Sequence, residues 1–336
     1  MLGPAKVPFP RLFAVIRENI ASIAAMSESN RETGPRIWAV GGGKGGVGKS
    51  VISANLGVAL ARSGQQVVVF DADLGGANLH TLLGMPDPRL GLADFLSRDV
   101  ATLQEVRTPT PIEGLSLISG ARGPLDMANL KSAQKQKILR HMALVEADHV
   151  VLDIGAGSAF NTLDFFLSAD RGILVVVPEP TSIENAYRFL KAAFYRKLNR
   201  AKPGEGVREV VGRVMSEIKV SDIHSPRELI DRVAEKDALA GEFLALQART
   251  FRPGILVNRV STPEHRLLGE QIGLACRDYF GTEIDFLGCV DDDALVNRSV
   301  LQRRPHLELF PASPFGRSIK ALAADLLERS EVLDDD

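Results

Sequence analysis

The stretch VGGGKGGVGKS, at Val40–Ser50, decides the fold. It follows the short apolar run RIWAV, and the segment Lys49–Arg62 after it has the apolar spacing of a helix that ends at Ser63 and Gly64. Residues Gly43–Ser50 fit the pattern GxxxxGK[ST] between a strand and a helix. Glycines let backbone N–H groups turn inward around phosphate oxygens, and the helix amino end adds its positive dipole. The stretch therefore predicts a phosphate-binding loop.

Two side chains of this loop have predicted roles toward a nucleotide. Lys49 is expected to reach the β- and γ-phosphates, and the Ser50 hydroxyl is expected to bind Mg²⁺. The predicted nucleotide contacts of the loop are Gly43, Lys44, Gly45, Gly46, Val47, Gly48, Lys49, Ser50 and Val51. A plain phosphate loop gives Lys44 no task within one subunit, so this second lysine needs another explanation.

The composition of the chain limits which classes of protein it can belong to. The chain has 336 residues, of which 45% are hydrophobic and 24% charged, with a formal net charge of −2. This is an ordinary globular composition, long enough for one large α/β domain or two smaller ones. No apolar run approaches the roughly 18 residues of a membrane span. Cys276 and Cys289 form no CxxC pair, which favours two buried thiols in a reducing cytoplasm.

Apolar runs that end in acids or glycine recur along the chain after Arg36. Examples of such runs are QVVVFDAD, HVVLDIGAG and GILVVVPEP. Helical stretches lie between most of the runs. This alternation predicts an α/β fold with a doubly wound, mostly parallel sheet, helices on both faces and sites at the carboxyl ends of the strands. We expect one domain over residues 34–336, with a helical insertion at about residues 200–254.

The first 33 residues are predicted to form a separate unit. The stretch FPRLFAVIRENIASIAA, from Phe9, places apolar side chains on one helical face, and a polar linker follows it. Three contacts for this face stay open: its own domain, a partner protein or a membrane surface.

The second lysine has a counterpart in a known family. The loop resembles the deviant Walker A motif, KGGxGK[ST], of the MinD/ParA family of dimeric P-loop ATPases, and the resemblance runs from about Ile37 to the final helix. In that family the first lysine crosses the dimer interface and contacts the nucleotide of the partner subunit. Lys44 matches this lysine by position. The resemblance therefore implies an ATP-dependent homodimer, with ATP and Mg²⁺ as cofactors.

Two acid-ended strands extend the resemblance. In VVVFDADLGGANLH, Asp71 matches an acid near Mg²⁺, Asp73 matches the residue that orients the attacking water, and Asn78 matches a switch asparagine. Lys44, Lys49 and Asp73 are thus the predicted catalytic residues. In HVVLDIGAG, Asp153 is expected to bind Mg²⁺ through water. Gly155 and Gly157 are expected to let this second switch segment move with the nucleotide state.

Two later segments resemble the adenine side of the family's site. In ILVNRV, Asn258 is expected to pair with the adenine edge and Arg259 to lie against the ring. GCVDDDALVNRSV, which begins at Gly288, resembles the loop that closes over the base. The sequence assigns no role to any one of its three acids.

The stretch ENAYRFLKAAFYRKLNRAK, from Glu184, is strongly basic. It contains Arg188, Lys191, Arg196, Lys197, Arg200 and Lys202. This pattern leaves three interpretations open: a solvated helix face, a contact with nonspecific DNA and a contact with acidic lipid.

The predicted function is a cytoplasmic, ATP-dependent dimerising switch that hydrolyses ATP slowly and positions or regulates a flagellum, cell pole, division site or DNA cargo. Two segments look most like the family's branch of flagellar-number regulators, FlhG or FleN: DLGGANLHTLLG and the segment from Leu287. Asp334, Asp335 and Asp336 would be repelled by an anionic membrane, and the protein partner is unidentified. The alternative is a P-loop small-molecule synthetase or a metal-cofactor assembly ATPase, although neither an acceptor site nor paired cysteines are visible.

Overall fold

The computed structural model describes residues 34–74, 76–120, 130–200, 225–281 and 284–335. Eight strands form one sheet: β1 Arg36–Gly41, β2 Val67–Asp71, β3 Thr108–Pro109, β4 Leu115–Ile118, β5 His149–Asp153, β6 Arg171–Val176, β7 Gly254–Val260 and β8 Asp285–Asp291. The strand order is β3-β4-β2-β5-β1-β6-β7-β8, and every pair is parallel except the short edge pair β3–β4. The predicted fold class is therefore confirmed.

Helices connect most of the strands. They are α1 Lys49–Arg62, α2 Leu79–Leu82, α3 Leu92–Ser97, α4 Ser132–Met142, α5 Phe160–Phe166, α6 Pro180–Arg200, α7 Pro226–Lys236, α8 Ala238–Arg249, α9 Pro263–Phe280, α10 Leu295–Leu301, α11 His306–Leu309 and α12 Pro314–Asp335, with a 3₁₀ turn at Gln104–Val106. The helix at Lys49–Arg62 has the bounds that the sequence predicts. In the predicted insertion, α7 and α8 lie before β7, and residues 201–224 lie outside the described residues.

Two hydrophobic clusters cover the two faces of the sheet. Alternate residues of β1 divide between them, because successive side chains of a strand point to opposite faces: Ile37 and Ala39 join one cluster, Trp38 and Val40 the other. The first cluster also includes apolar side chains of α4, α5, α6 and α9, and the second includes those of α1 and α12. The helices thus bury both faces, and the carboxyl ends of the strands stay free to form a site.

A buried carboxylate joins three of these helices. Asp164 on α5 accepts a bidentate pair of hydrogen bonds from Arg196 on α6, at 2.8 and 2.9 Å, and a bond from Arg200 at 3.1 Å. Lys135 on α4 forms a further ion pair with the same group. Burial acts to raise the pKa of Asp164, but the hydrogen bonds from Arg196 and Lys135 and the charge of Arg200 outweigh it, so the pKa is lowered.

The basic stretch is therefore not a plain solvated helix face, as one interpretation held. Arg196 and Arg200 are held by Asp164, Lys197 donates to the Thr250 carbonyl at 2.8 Å, and Arg188 pairs with Glu184. Lys202 lies outside the described residues. Most of these charges thus have partners within the chain, which leaves less cationic surface for DNA or acidic lipid than the sequence suggests.

Asp164→Ala is expected to lower the free energy of unfolding by about 3 kcal/mol, because it leaves three clustered cations without their carboxylate. Denaturant unfolding measures the change. Glu184→Ala is the control, since it breaks an exposed ion pair with Arg188 on α6, and a pair this exposed stabilises by less than about 1 kcal/mol. A loss below about 1 kcal/mol for Asp164→Ala would show that the cluster does not hold the helices together.

Cys276 is buried in the described structure and Cys289 is partly buried. None of the described helices is both long and apolar enough to cross a bilayer. The amino-terminal helix and its boundary at residue 33 lie outside the described residues, so they stay predictions.

Candidate functional site

The predicted phosphate loop lies between β1 and α1, at the carboxyl edge of the sheet. Gly46 and Gly48 have φ angles of 80° and 96°, a region that residues with a side chain rarely adopt. A Cβ atom on Gly45 or Gly46 would meet no atom within 4 Å, so this part of the loop faces open space. A Cβ on Gly43 would come within 2.1 Å of the Asn185 carbonyl oxygen, which explains glycine there. The backbone is thus shaped to surround an anion.

Two acids and a lysine meet beside this loop. Asp71 and Asp153 end β2 and β5, and they are direct partners in the strand register. Both carboxylates are almost fully buried, and Lys49 at the start of α1 is 8% exposed. The hydroxyl of Ser53 donates to Asp153 at 2.9 Å, and Ser50 also forms a hydrogen bond with this carboxylate. The structure therefore brings the predicted metal residues Ser50, Asp71 and Asp153 to one place.

Burial dominates the electrostatics of this group. Burial and the neighbouring charge of Asp153 raise the pKa of Asp71 to about 7. Burial also raises the pKa of Asp153 to about 6, against the hydrogen bonds from Ser50 and Ser53. Burial lowers the pKa of Lys49, while the charges of Asp153 and Asp73 oppose this shift. Two buried carboxyls with raised pKa values form a site at which an added cation is strongly favoured.

The two predicted switch segments face each other across a cleft of 460 Å³. The backbone N–H of Asp73 donates to Asp71 at 3.2 Å, and a Cβ on Gly155 would lie 3.2 Å from the Asp73 carboxylate. Asn78 donates to the Gly76 carbonyl at 2.6 Å. Gly157, with a φ angle of 85°, donates its N–H to the Gly42 carbonyl at 3.2 Å. The second switch segment is thus hydrogen-bonded to the start of the phosphate loop.

Lys44 has partners within its own chain, contrary to the expectation from the sequence. Its Nζ atom lies 3.2 Å from a carboxylate oxygen of Glu179 and 3.2 Å from the hydroxyl of Thr181. The side chains of Lys44 and Glu179 are 41% and 52% exposed. An ion pair this exposed stabilises by less than about 1 kcal/mol, so Lys44 is easily released toward another partner.

The predicted adenine residues lie on the other side of the loop, in a pocket of 340 Å³. The side-chain amide of Asn258 donates to the Val47 carbonyl at 2.8 Å, and Arg259 donates to the Gly46 carbonyl at 3.2 Å. Val51 and the segment 291–294 also line this pocket. Asn258 and Arg259 therefore lie where a base would be if its phosphates occupied the loop.

The structure separates the three consecutive acids that the sequence could not tell apart. Asp291 pairs with Arg266 and is hydrogen-bonded to the Ser318 hydroxyl. Asp293 accepts backbone N–H bonds from Leu295 at 2.9 Å and Phe315 at 3.3 Å, which fixes the loop from inside. Asp292 is exposed and lines the same 340 Å³ pocket, which we call the base pocket for its predicted ligand. The roles of the three acids differ because their tertiary contacts differ, and these contacts cannot be predicted from three identical consecutive residues.

Comparisons with known proteins identify the family of this chain. The model of the CobQ/CobB/MinD/ParA nucleotide binding domain matches residues 38–306. The antiactivator FleN of Pseudomonas aeruginosa is 28% identical over 290 residues, which cover 86% of this chain and 85% of FleN. The flagellum site-determining protein YlxH of Helicobacter pylori is 28% identical over 300 residues, covering 88% of this chain and 83% of YlxH.

Solved structures share the fold. The septum site-determining protein MinD of Pyrococcus horikoshii, complexed with Mg-ADP, superimposes with a TM-score of 0.60 at 22% identity, over 89% of this chain and 98% of that one. A ParA family ATPase from Chlorobium tepidum gives a TM-score of 0.59 at 18% identity, over 86% and 98% of the two chains.

The fold and the site define a P-loop ATPase with a deviant phosphate loop. The chain belongs to the CobQ/CobB/MinD/ParA nucleotide-binding domain family. Within that family it is an ATPase of the MinD/ParA type, as its resemblance predicted, and the small-molecule synthetase alternative is not favoured.

Proposed function

We propose that this protein binds and slowly hydrolyses Mg·ATP as a homodimer and that it regulates the number or placement of flagella. The observation that supports the flagellar role is the match to FleN and YlxH, which covers more than four fifths of this chain and of both relatives. The ATP-dependent reaction is supported by the loop, the paired acids and the base pocket described above. We place the protein in the cytoplasm, with a protein partner that contacts residues 1–33.

The residues beside the phosphate loop fit a magnesium ion. Mg²⁺ in nucleotide sites is bound by one or two protein oxygens together with phosphate oxygens, and the buried acids Asp71 and Asp153 with the Ser50 hydroxyl supply such oxygens. No group of three or more His, Cys, Asp or Glu side chains that could hold a metal occurs in the described part of the chain, so the nucleotide phosphates would complete the coordination. Bound magnesium would neutralise charge that develops on the phosphates.

Three side chains then have distinct tasks in phosphoryl transfer, which needs positioning and charge neutralisation more than covalent chemistry. Lys49 contacts the β- and γ-phosphates from its own subunit. Asp73, in the cleft between the switch segments, orients the attacking water. Lys44 leaves Glu179 and contacts the nucleotide of the partner subunit, which makes turnover depend on dimerisation.

Nucleotide binding is expected to depend on pH through Asp71 and Asp153. Their folded pKa values, about 7 and about 6, lie above the unfolded value of about 4. The stability that they contribute to the nucleotide-free protein is therefore fully present below about pH 4 and is lost as the pH rises through these two values. Mg·ADP needs both groups ionised, so its affinity should rise between about pH 5.5 and 8, with release of protons on binding.

Calorimetry in two buffers of different ionisation enthalpy measures this proton release. The control is ADP with EDTA, which should release fewer protons because no cation drives the acids to ionise. An affinity for Mg·ADP that is constant across this pH range, without proton release, would contradict the assignment of the metal to these acids.

Counting flagella tests the cellular role. A strain without this protein is expected to show a changed number or position of flagella by electron microscopy, and a plasmid-borne copy should restore the normal pattern. A copy with Lys49→Ala should not restore it, because the proposed switch needs nucleotide. Normal flagella in the deletion strain, with division or plasmid inheritance altered instead, would refute the flagellar role and keep the ATPase.

A further inference from the structure

A second cavity, of 640 Å³, opens at the opposite end of the sheet from the nucleotide site. It lies at the amino ends of β1, β6 and β8 and beside the second half of α12. Its volume exceeds the 340 Å³ of the base pocket and falls within the range of about 300–1,000 Å³ that is typical of small-molecule sites. Neither the phosphate loop nor the switch segments contribute to it, so the proposed ATPase function does not explain it. We call it the basal cavity.

Arginine dominates the lining of the basal cavity. Five arginines from separate parts of the chain converge there: Arg36, Arg171, Arg249, Arg252 and Arg329. Four acids line the same cavity, so the arginines leave an excess of one positive charge, which a bound anion offsets.

Four acids share the lining, Asp170, Asp285, Asp325 and Glu328, and the first three have partners within the chain. Asp285 is ion-paired with Arg171 and lies 4.0 Å from Arg329. Asp325 is hydrogen-bonded to Arg329 at 2.7 Å. Asp170 accepts the backbone N–H of Ile37 at 2.8 Å. These carboxylates hold the wall of the cavity in place and do not neutralise every cation in it.

Donor groups remain unused around the cavity. The Nε atom of Arg171 is buried and has no hydrogen-bond partner among the described residues. Burial, and to a lesser degree the charge of Arg329, lower the pKa of Arg171. Arg252 donates its Nε–H to the Arg249 carbonyl at 3.3 Å, and the terminal nitrogens of both side chains have no partner in the described part of the chain.

We propose that the basal cavity binds a small anion that carries a phosphate or carboxylate group. Guanidinium groups present a planar fork of N–H donors, and this fork matches the two oxygens of a carboxylate or phosphate. Arg249 and Arg252 contact the anion from the exposed rim. Arg171, which is ion-paired with Asp285, adds positive charge at the wall of the cavity. The site is independent of the nucleotide chemistry, and it takes its ligand at the other end of the fold.

The chain has a built-in reporter for this site. Its single tryptophan, Trp38, lines the basal cavity and donates its indole N–H to His149 at 3.2 Å. A ligand in the cavity changes the electrostatic environment of this indole. The full chain, with its phosphate loop saturated by Mg·ADP, is titrated with inorganic phosphate and separately with succinate. Trp38 emission and calorimetry are followed together, so that the two probes distinguish a phosphate site from a carboxylate site.

The expected result is a saturable response to at least one probe, with a dissociation constant below about 1 mM. Arg249→Gln and Arg252→Gln should each weaken that binding at least about tenfold, because each removes a charged hydrogen-bond donor. Both side chains lie at the exposed rim, so the variants are expected to fold. Arg188→Gln, an exposed arginine on α6, is the matched control and should bind the probe unchanged.

Three results would overturn the proposal. One is the absence of saturable binding of either probe up to about 10 mM. Another is equal binding by Arg249→Gln, Arg252→Gln and the unaltered protein. The third is binding of a glutamate-rich peptide without binding of either small anion, which would make the cavity a docking site for an acidic protein segment. Loss of ATP turnover has no bearing on any of the three.

Discussion

Replacing Lys49 with alanine is expected to weaken ATP binding at least about a hundredfold and to reduce turnover about a thousandfold. Lys49 is 8% exposed, and its ammonium group lies near Asp153 and Asp73. The substitution removes the cation for the β- and γ-phosphates, and it leaves buried carboxylates that repel them. Equilibrium binding of a fluorescent ATP analogue and an assay of released phosphate measure the two effects.

Lys44→Ala is the matched comparison within the same loop. Lys44 is exposed and pairs with Glu179, so its loss should change ATP affinity by less than about fivefold. Turnover should still fall about a thousandfold, as when a cation supplied from a partner subunit is removed from a phosphoryl-transfer site. If Lys49→Ala bound ATP within about fivefold of the unaltered protein, the loop would not be the phosphate site.

Asp73→Ala is expected to reduce turnover by about a hundredfold to a thousandfold while ATP stays bound. The Asp73 carboxylate lies beside Gly155 in the cleft between the switch segments, where it can orient a water without holding the nucleotide itself. Single-turnover hydrolysis and ATP binding, measured on the same protein, separate these two properties.

Asp278→Ala on α9 is a suitable control for Asp73→Ala, because it removes an exposed carboxylate far along the chain from the switch segments. It should leave both hydrolysis and binding unchanged. Normal single-turnover hydrolysis by Asp73→Ala would exclude Asp73 as the residue that positions the attacking water.

Local patterns were sufficient to predict much of the fold. The parallel strands β1, β2, β5 and β6 are apolar runs that are bounded by polar residues or glycine, and the phosphate loop follows β1 directly. These elements can therefore be recognised from residues that are neighbours in the sequence. Edge strand β3 has two residues, one of them a proline, and it is too short to leave a pattern. The acids Asp71 and Asp153 could be placed together because parallel strands align their carboxyl ends.

Contacts between distant residues could not be predicted in this way. Glu179 is 135 residues from Lys44, and no spacing rule connects them. Asp164 looks like an ordinary polar position in FNTLDFF, yet it forms ion pairs with Arg196 and Arg200. These two arginines of the basic stretch are therefore less available to DNA or lipid than the sequence suggests. The basal cavity draws its arginines from positions 36 to 329, so only the fold reveals the cluster.

ATP-dependent dimerisation is the central claim, and light scattering coupled to size exclusion tests it most directly. The Asp73→Ala protein, which should bind ATP without consuming it, is measured with Mg·ATP and with Mg·ADP. We expect a dimer with ATP and a monomer with ADP, and we expect Lys44→Ala in the same background to stay monomeric with both. A monomer of Asp73→Ala under both conditions, at protein concentrations of about 50 μM with ATP shown to be bound, would contradict the account.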